Sequence, residues 1–235
     1  MTRIFTSIAL LASLGAVAGC SSETIDSADI KTRGIAALIE VKAENESSSR
    51  VYVKLLAGGS SSNTSVILGN GDQLTATANG ETKKLSADGE GEYLANFATG
   101  AADTEFVVAF ERDDGDNAPN SVGKLPPPFT VGAIDPKSRA ADDVLITWDP
   151  SGSDSITIKV DGDCIKSVSD IKTSDTGSYN LTKDKLEAWE SQKEDTCDVR
   201  VQIWRTRSGA ADTAWDNESR MTMVQVRAVK FQSAP

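Results

Sequence analysis

Four oxygen-bearing side chains stand close together between residues 112 and 118, and their types suit a metal ion. They are Asp113, Asp114, Asp116 and Asn117. Calcium prefers hard oxygen ligands of this kind on a tight loop. The spacing lacks the terminal glutamate of an EF-hand, and Asp, Asn and Gly are also the residues that any tight turn favours. We therefore expect a turn without a metal, and keep a calcium site as the alternative.

Catalytic chemistry is restricted because the chain contains no histidine. This excludes Ser-His-Asp and Cys-His catalysis, imidazole acid–base chemistry and zinc sites that need a histidine ligand. The 35 aspartates and glutamates supply many carboxylates, but no pair of them belongs to a motif with a mechanism behind it. We expect a protein that is not an enzyme and has no cofactor, with a carboxylate-dependent hydrolase as the remote alternative.

An apolar run near the start of the chain ends at a cysteine. Arg3 provides a positive n-region, residues 4–14 form an apolar h-region, and Val17-Ala18-Gly19 leads to Cys20. This layout is typical of a secretory signal, with a cysteine at the usual cleavage position. The run is shorter than the roughly 20 residues that a membrane-spanning helix needs. We predict a signal peptide over residues 1–19.

The Val17-Ala18-Gly19-Cys20 segment resembles the lipobox of bacterial lipoproteins. The resemblance implies that a lipid is attached to the Cys20 thiol, that the chain is cut before Cys20, and that the new amino terminus is acylated, for example with palmitate. Several acyl chains together give stable membrane anchoring. Ser21 follows the cysteine where an aspartate would favour the inner membrane, so the resemblance favours the outer membrane. An ordinary signal peptide with a chance cysteine is the alternative.

The net charge limits the classes of binding partner, and the cysteine content indicates an oxidising compartment. The formal net charge is −11, and it becomes −12 when Arg3 leaves with the signal peptide. Such acidity argues against nucleic acid and anionic membrane surfaces as partners. Besides Cys20, the chain contains Cys164 and Cys197. Two cysteines in an exported chain are most simply explained by one disulfide, which adds roughly 3 kcal/mol of stability.

After a polar tether over residues 20–30, nearly every apolar segment alternates with the period of two that half-buried strands show. The clearest example is Phe106, Val108 and Phe110. A first set of these segments ends near residue 134, and a second set follows the stretch 135–138. The sequence predicts an all-β protein with two tandem antiparallel Ig-like β-sandwich domains, residues 31–134 and residues 135–235.

The second set resembles a fibronectin type III or immunoglobulin-like sandwich over about 100 residues. The likeness is carried by the core tryptophan that ends Leu145-Ile146-Thr147-Trp148, and by the late strands 197–206 and 221–231. The core tyrosine usual in the penultimate strand of type III domains is missing. Cys164 and Cys197 fall on the inward parity of neighbouring strands, so we expect them to be adjacent. The whole chain resembles uncharacterised two-domain lipoproteins of diderm bacteria, a likeness that assigns no activity.

A candidate binding surface is predicted near the end of the chain. Trp204 has the opposite parity to Val201 and Ile203, so it should face outward, and we expect Met221 and Met223 on the neighbouring strand to do the same. Trp215 lies in the polar loop 208–219, where binding residues of such sandwiches collect. The candidate surface therefore comprises Trp204, Trp215, Met221 and Met223. The alternative is that the tryptophans cover the seam between the domains or the core.

Taken together, these patterns predict a cell-envelope protein that is held at the outer membrane by an N-terminal lipid. We expect a binding or structural role, as a protein-interaction or assembly module for an envelope protein. A carbohydrate-binding module, in which exposed tryptophans stack on a polysaccharide, is the alternative. Nucleic acid is not expected as a partner.

Overall fold

The computed structural model describes residues 23–69, 71–152 and 154–235, so the predicted signal peptide and Cys20 lie outside the described residues. Within these ranges, regular structure consists of β-strands and four short 3₁₀ turns, which confirms the all-β prediction. None of the helical turns found there is long and apolar enough to cross a membrane. The strands are β1 Glu23–Asp26, β2 Ile35–Asn45, β3 Ser48–Ala57, β4 Thr64–Ile67, β5 Gln73–Ala78, β6 Glu81–Lys84, β7 Ser86–Gly89, β8 Glu92–Phe97, β9 Glu105–Glu111, β10 Ala118–Lys124, β11 Lys137–Ser138, β12 Val144–Thr147, β13 Ser155–Gly162, β14 Val168–Ser174, β15 Ser178–Leu181, β16 Cys197–Ser208 and β17 Arg220–Ala234.

The first sandwich packs two sheets face to face. One sheet contains β1, β4, β3 and β2, with β8 and β7 attached, and the other has the order β10-β9-β5-β6. The alternating residues of β9 point into the space between the sheets, where Phe106, Val108 and Phe110 are buried. Phe97 of β8 meets Phe106 edge-to-face, with ring centroids 5.5 Å apart. The predicted alternation of β9 therefore builds one half of this core.

The second sandwich packs β16, β13 and β14 against the pair β12–β15. Its core includes Trp148, Ile158 and Val201, all buried. Segment 129–131 also belongs here, because Phe129 is buried in this core and Val131 bridges to Trp148. The predicted core position of Trp148 thus agrees with the structure.

A single strand, β17, belongs to both sandwiches. Its first residues pair in parallel with β2, with Arg220 opposite Leu38 and Gln225 opposite Ala43. The strand pairs with β16 in the antiparallel sense from Thr222 to Ser233. The main sheet therefore runs without interruption from the first sandwich into the second. At about 3.3 Å per residue, the 15 residues of β17 span about 50 Å.

The structure differs from the predicted domain boundaries at two places. Residues 211–223 contribute side chains to the core of the first sandwich, although they were assigned to the range 135–235. The predicted tether 20–30 is also shorter than expected. Glu23 already begins β1, which pairs in parallel with β4, and Ser27 is fully buried. A parallel partner far away in the sequence leaves no local signal, so neither feature follows from the alternation pattern.

The described chain begins at the end of the first sandwich that lies farthest from the second. Glu23 pairs with Thr64 beside the loop 58–63. This loop contacts the loop before β17, because Ser60 donates its backbone N–H to the carboxylate of Glu218 at 2.7 Å. From this end β17 runs toward the second sandwich, and its last residues lie opposite Cys197. Glu23 and the disulfide are therefore at opposite ends of the described part of the molecule.

Candidate functional site

Three of the four residues in the predicted binding surface lie in the core of the first sandwich. Trp215, Met221 and Met223 are 4%, 2% and 0% exposed. The Trp215 ring stacks on Phe110, with centroids 4.9 Å apart, and its Nε1–H donates to Ser121 Oγ at 3.3 Å. Their prediction as an outward surface is wrong, and the alternative that the tryptophan covers a core holds for Trp215.

The reason for this error is that both faces of β17 are covered where it joins the first sandwich. Met221 and Met223 point into the core, while Val224 and Val226 on the opposite face are also buried. A segment buried on both faces has no polar side to orient it, so parity alone assigned the wrong face. The contact with the opposite sheet is close: a Cβ atom on Gly123 would lie 2.5 Å from Met223 Sδ.

Trp204 lies on the outer face of the main sheet and is half-buried. Two ammonium groups pack over its ring: Lys159 Nζ lies 4.6 Å and Lys42 Nζ 5.6 Å from the centroid. Because Trp204 is paired with Val226, it shares the outer face with that residue. The indole N–H is buried and donates no hydrogen bond to a described group. Trp204 therefore acts as a cover over the outer face of β17, with its ring occupied by lysines.

Trp189 is a large apolar residue that the fold leaves exposed, with 49% of its surface accessible. It lies between two 3₁₀ turns, Lys183–Lys185 and Glu190–Gln192, and its backbone N–H donates to Cys164 O at 3.3 Å. The disulfide end of the second sandwich thus carries an exposed indole. Only single 3₁₀ turns form in this segment, so no longer helical face covers the ring.

The acidic turn predicted as an alternative calcium site is organised around an arginine. Arg112 and Asp72 form a buried ion pair, with Nε–Oδ2 at 3.2 Å and both side chains 3% exposed. Arg112 also donates to backbone O atoms of Ser27 and Ile30. Asn117 is used to close the turn, because its Oδ1 accepts the backbone N–H of Arg112 at 2.8 Å. Within the described residues, no three acidic or cysteine side chains are grouped to hold a metal.

The predicted disulfide is confirmed. Cys164 and Cys197 are bonded, with Cα atoms 5.9 Å apart. Arg139, 6% exposed, packs against this bond: its Nη1 lies 3.3 Å from Cys164 Sγ and donates to Ser233 O at 2.9 Å. Its Nη2 donates to Asp195 O at 2.7 Å. The buried cation therefore ties the disulfide loop to the last residues of β17.

A second buried ion pair lies where the two sandwiches meet. Arg205 and Asp175 are 1% and 0% exposed at their side chains, with Arg205 Nε 2.8 Å from Asp175 Oδ2. Trp148 Nε1–H donates to Asp175 at 2.7 Å, and Ser151 donates its backbone N–H at 3.0 Å. Burial alone would raise the pKa of Asp175, but these donors and Arg205 lower it below the ordinary aspartate value. The pair is thus held charged in the interior.

The same region links residues from both sandwiches through side chains of β16 and β17. Arg207 binds Asp154 of the second sandwich, with Nε–Oδ1 at 2.8 Å, and Asp103 of the first, with Nη1–Oδ1 at 2.9 Å. Gln225 is fully buried and donates from Nε2 to Gly100 O at 2.7 Å. Polar bonds of this kind fix the relative placement of the two sandwiches in addition to the shared strand.

An open groove of about 540 Å³ runs along the seam between the sandwiches. Its most prominent member is Arg227, whose guanidinium carbon lies 5.7 Å from the centroid of Phe129. The guanidinium carbon of Arg205 also packs over the Phe129 ring, 4.4 Å from its centroid. We call this surface the seam groove; it is lined by Asn45, Glu46, Phe129, Thr130, Val131, Arg227, Ala228 and Val229.

Known proteins offer little guidance to function. No protein-family model matches the chain, and no curated protein sequence matches it. Similar solved structures include the adhesin InvE of Yersinia pseudotuberculosis, 12% identical with a TM-score of 0.26, over 86% of this chain and 59% of the adhesin. A two-domain fibronectin type III segment of chicken tenascin is 12% identical with a TM-score of 0.23, over 81% of this chain and 97% of that chain.

A DUF3823 family protein from Bacteroides ovatus is also 12% identical, with a TM-score of 0.24, over 85% of this chain and 98% of that chain. The chain spans 59% of the length of the adhesin that it matches. No function is carried over from these three proteins at such identities. The binding or structural role therefore has to be argued from the molecule itself.

Proposed function

We propose that this chain is a lipid-anchored protein of the cell envelope that serves, without catalysis, as a rigid binding or structural module at the outer membrane. The observation that carries the proposal is the shared strand β17, which makes one sheet of both sandwiches. A flexible linker would let the second sandwich turn freely. A continuous sheet instead keeps it at a fixed distance from the other end of the molecule.

The position of Glu23, close in sequence to Cys20, gives this rigid unit a direction. Three peptide steps separate Cys20 from Glu23, and they reach at most about 11 Å. A lipid on Cys20 would therefore place loop 58–63 next to the bilayer, because Glu23 pairs beside that loop. The disulfide end, with the exposed Trp189, would then point away from the membrane. The chain is thus suited to present its second sandwich to partners in the envelope.

Lipid attachment is tested first, in a diderm bacterium that expresses the full chain. Metabolic labelling with an alkyne palmitate should mark the wild-type protein but not Cys20→Ser, and the wild type, unlike Cys20→Ser, should partition into detergent. Ser21→Ala is the matched control and should remain labelled. Ser21→Asp tests the membrane: it should move the protein to the inner membrane fraction. An unlabelled wild-type chain would contradict the lipid anchor.

The orientation is tested separately by fluorescence quenching on the lipidated protein in vesicles. A bimane group at Ser61→Cys, in the loop 58–63, should be quenched by lipids that carry a spin label in the headgroup. The same group at Lys166→Cys, beside the disulfide, should not be quenched. Equal quenching at the two positions would contradict a rigid module standing on its first sandwich.

The absence of catalysis is supported by how the buried carboxylates are used. Asp72, Asp154 and Asp175 are buried, and each is bound by an arginine: Arg112, Arg207 and Arg205. Asp154 and Asp175 also meet at the hydroxyl of Ser151. Acid and base catalysis by a carboxylate pair requires two groups that face one substrate and differ in pKa. All three carboxylates are buried and each is paired with an arginine cation, so none of them is left free to face a substrate.

Carbohydrate binding is the second candidate, and Trp189 is the residue that favours it. Its exposed ring belongs to a segment that also contains Glu187 and Glu190, which are paired with Lys166 and Lys193. An exposed indole with polar neighbours is suited to stack on a sugar ring. Titration of the full chain with envelope polysaccharides should then shift tryptophan fluorescence in the wild type and in Trp204→Phe, but not in Trp189→Ala. No shift in the wild type would remove this candidate.

A further inference from the structure

Strand β17 has an open edge inside the seam groove. On one side it is paired with β16 from Thr222 to Ser233. On the other side, β2 pairs as far as Gln225, and β11 pairs only from Ser233 onward. Across the described residues, no strand pairs with positions 226–232 on this second side. We call this stretch the β17 edge.

The hydrogen-bonding groups that face the open side follow from the pairing pattern. Met221 O accepts the N–H of Gly209, which continues β16, so odd-numbered residues of β17 bond toward β16. Ala234 O accepts the N–H of Arg139 on the opposite side, so even-numbered residues bond away from β16. The backbone N–H and C=O groups of Ala228 and Lys230 therefore point to the open side. They form a template for one more strand.

The side chains along the β17 edge provide a charged and an apolar contact. Arg227 caps the start of the open stretch, because its Nη1 donates to Val226 O at 2.8 Å and reaches Ala43 O at 3.4 Å. Its guanidinium forms no ion pair with a described carboxylate, and it packs over Phe129. Burial lowers the pKa of Arg227, as does the charge of Arg205, while Glu46 opposes them. Glu46, which lines the same groove, is therefore the counter-charge that acts on Arg227, but it does not pair with it, and the guanidinium stays available to a further carboxylate.

We propose that the β17 edge binds an extended peptide segment of a partner protein, which adds a strand beside Ala228 and Lys230 and places an acidic side chain against Arg227. Alternate side chains of a strand point to the same face. The acidic residue and an apolar residue two positions away would thus both enter the seam groove, the second one next to Phe129 and Val131. This inference rests on the protein-binding role proposed above and gives it a site.

The shape of the surroundings favours a peptide over a second copy of the chain. The β17 edge is bounded at one end by Asn45 and Glu46 of the first sandwich and at the other by β11. Seven residues of open strand span about 23 Å. A single extended segment fits between these walls, whereas a folded sandwich that brought its own edge strand would meet them.

Hydrogen exchange tests the site on the lipidated full chain extracted in detergent, with residue-level mass spectrometry as the readout. The probe is the peptide acetyl-Thr-Val-Glu-Val-Thr-Val-amide, with Gln in place of Glu as its matched control. Without peptide, the amides of Ala228 and Lys230 should exchange faster than that of Val229. With it, their exchange should slow by about tenfold or more, because a ladder hydrogen bond restricts exchange to local opening.

Three variants separate the contribution of the backbone hydrogen bonds from that of the Arg227 charge. Ala228→Pro removes one donor on the open side but none toward β16, and it should abolish the protection at Lys230. Ala228→Val keeps the donor and is its control. Arg227→Gln should reduce the difference between the Glu and Gln peptides to nothing. The same measurement on Cys20→Ser, which has no site for the lipid, should give the same protection, so failure of the anchor and failure of this site are distinguishable.

Two outcomes would overturn the proposal. If the amides of Ala228 and Lys230 are as slow as that of Val229 without peptide at low protein concentration, the edge is already closed. If they slow only as the protein concentration rises and the peptide has no effect, the edge pairs with a second copy. Exchange that is fast and unchanged by the peptide also contradicts the site.

Discussion

Met223 and Phe231 belong to the same strand, yet they are buried in different cores. Met223 is part of the first core, together with Phe110 and Trp215, and Phe231 is part of the second. They have the same parity, and β17 carries both into the space behind the main sheet. The stability of each sandwich therefore depends on one continuous segment of chain. This arrangement predicts that the two sandwiches unfold together.

Met223→Ala should destabilise the whole molecule and not the first sandwich alone. Removing a fully buried methionine side chain costs about 2–5 kcal/mol of unfolding free energy, because a cavity remains opposite Gly123. Urea unfolding followed by tryptophan fluorescence should show one transition at a lower midpoint, with an unchanged slope. Lys230→Ala on the exposed face of the same strand is the control and should leave the midpoint in place. Two separate transitions would contradict the shared-strand interpretation.

The alternation of apolar residues in the sequence predicts the strands and the adjacency of the two cysteines that form the disulfide. The inward parity of Cys164 and Cys197 placed them on adjacent strands, and the structure has them bonded. The orientation of segment 221–226 could not be predicted from alternation, because its apolar residues are buried on both faces of the strand. They are Met221, Met223, Val224 and Val226. Its partner β2 lies about 180 residues earlier in the chain and pairs in parallel, which no hairpin signal announces.

The sequence of β16 contains one signal for a buried ion pair at the seam. Arg205 continues the inward parity of Val199, Val201 and Ile203 in β16. An arginine on a core-facing position needs a buried anion, since an unpaired charge in the interior is costly. That argument predicts a buried acidic partner, although it does not identify Asp175, which arrives from the turn after β14.

Arg205→Met should destabilise the protein strongly, because it leaves the Asp175 carboxylate buried without its cation. Breaking a buried pair from one side costs about 3–5 kcal/mol. Equilibrium unfolding in urea measures the loss. The double variant Arg205→Met with Asp175→Asn should recover part of it, since no net charge then remains in the interior. An unchanged free energy of unfolding in the single variant would show that the pair does not act as a buried unit.

The same carboxylate predicts an acid-dependent contribution to stability. The pKa of Asp175 is lower in the folded protein than in the unfolded chain, where an aspartate titrates at about 3.9. Asp175 therefore stabilises the fold fully at pH values above about 3.9. This contribution is lost as the pH falls through the lower pKa of the folded state. The difference in unfolding free energy between wild type and Asp175→Asn should therefore shrink between pH 5 and pH 2, as estimated from linkage. The other carboxyl groups are common to both proteins and cancel. A difference that grows on acidification would contradict the assignment.

The disulfide should stabilise the end of the molecule that carries Trp189. Its cysteines are 33 residues apart, and closing such a loop contributes about 3–4 kcal/mol in the chain-entropy estimate. The double variant Cys164→Ala with Cys197→Ala should lose about that much in urea unfolding. Reduction of the wild type should have the same effect, and reduction of the double variant none. Equal stability of the oxidised and reduced wild type would show that the native loop is held by other contacts, such as those of Arg139.

Truncation at the predicted domain boundary should not yield a folded first domain. A chain that ends at residue 134 lacks the strand next to β2, and with it Trp215, Met221 and Met223 of the first core. The exposed edge of β2 and the empty space against Phe110 make a compact fold unfavourable. The fragment should therefore show exchange-broadened amide resonances and no cooperative thermal transition. The full chain should show well-dispersed amide resonances and a cooperative thermal transition. Adding a peptide of residues 209–226 in trans should restore part of the structure, because it supplies the missing strand and its core side chains. A fragment that folds cooperatively without the peptide would mean that the first sandwich does not depend on β17.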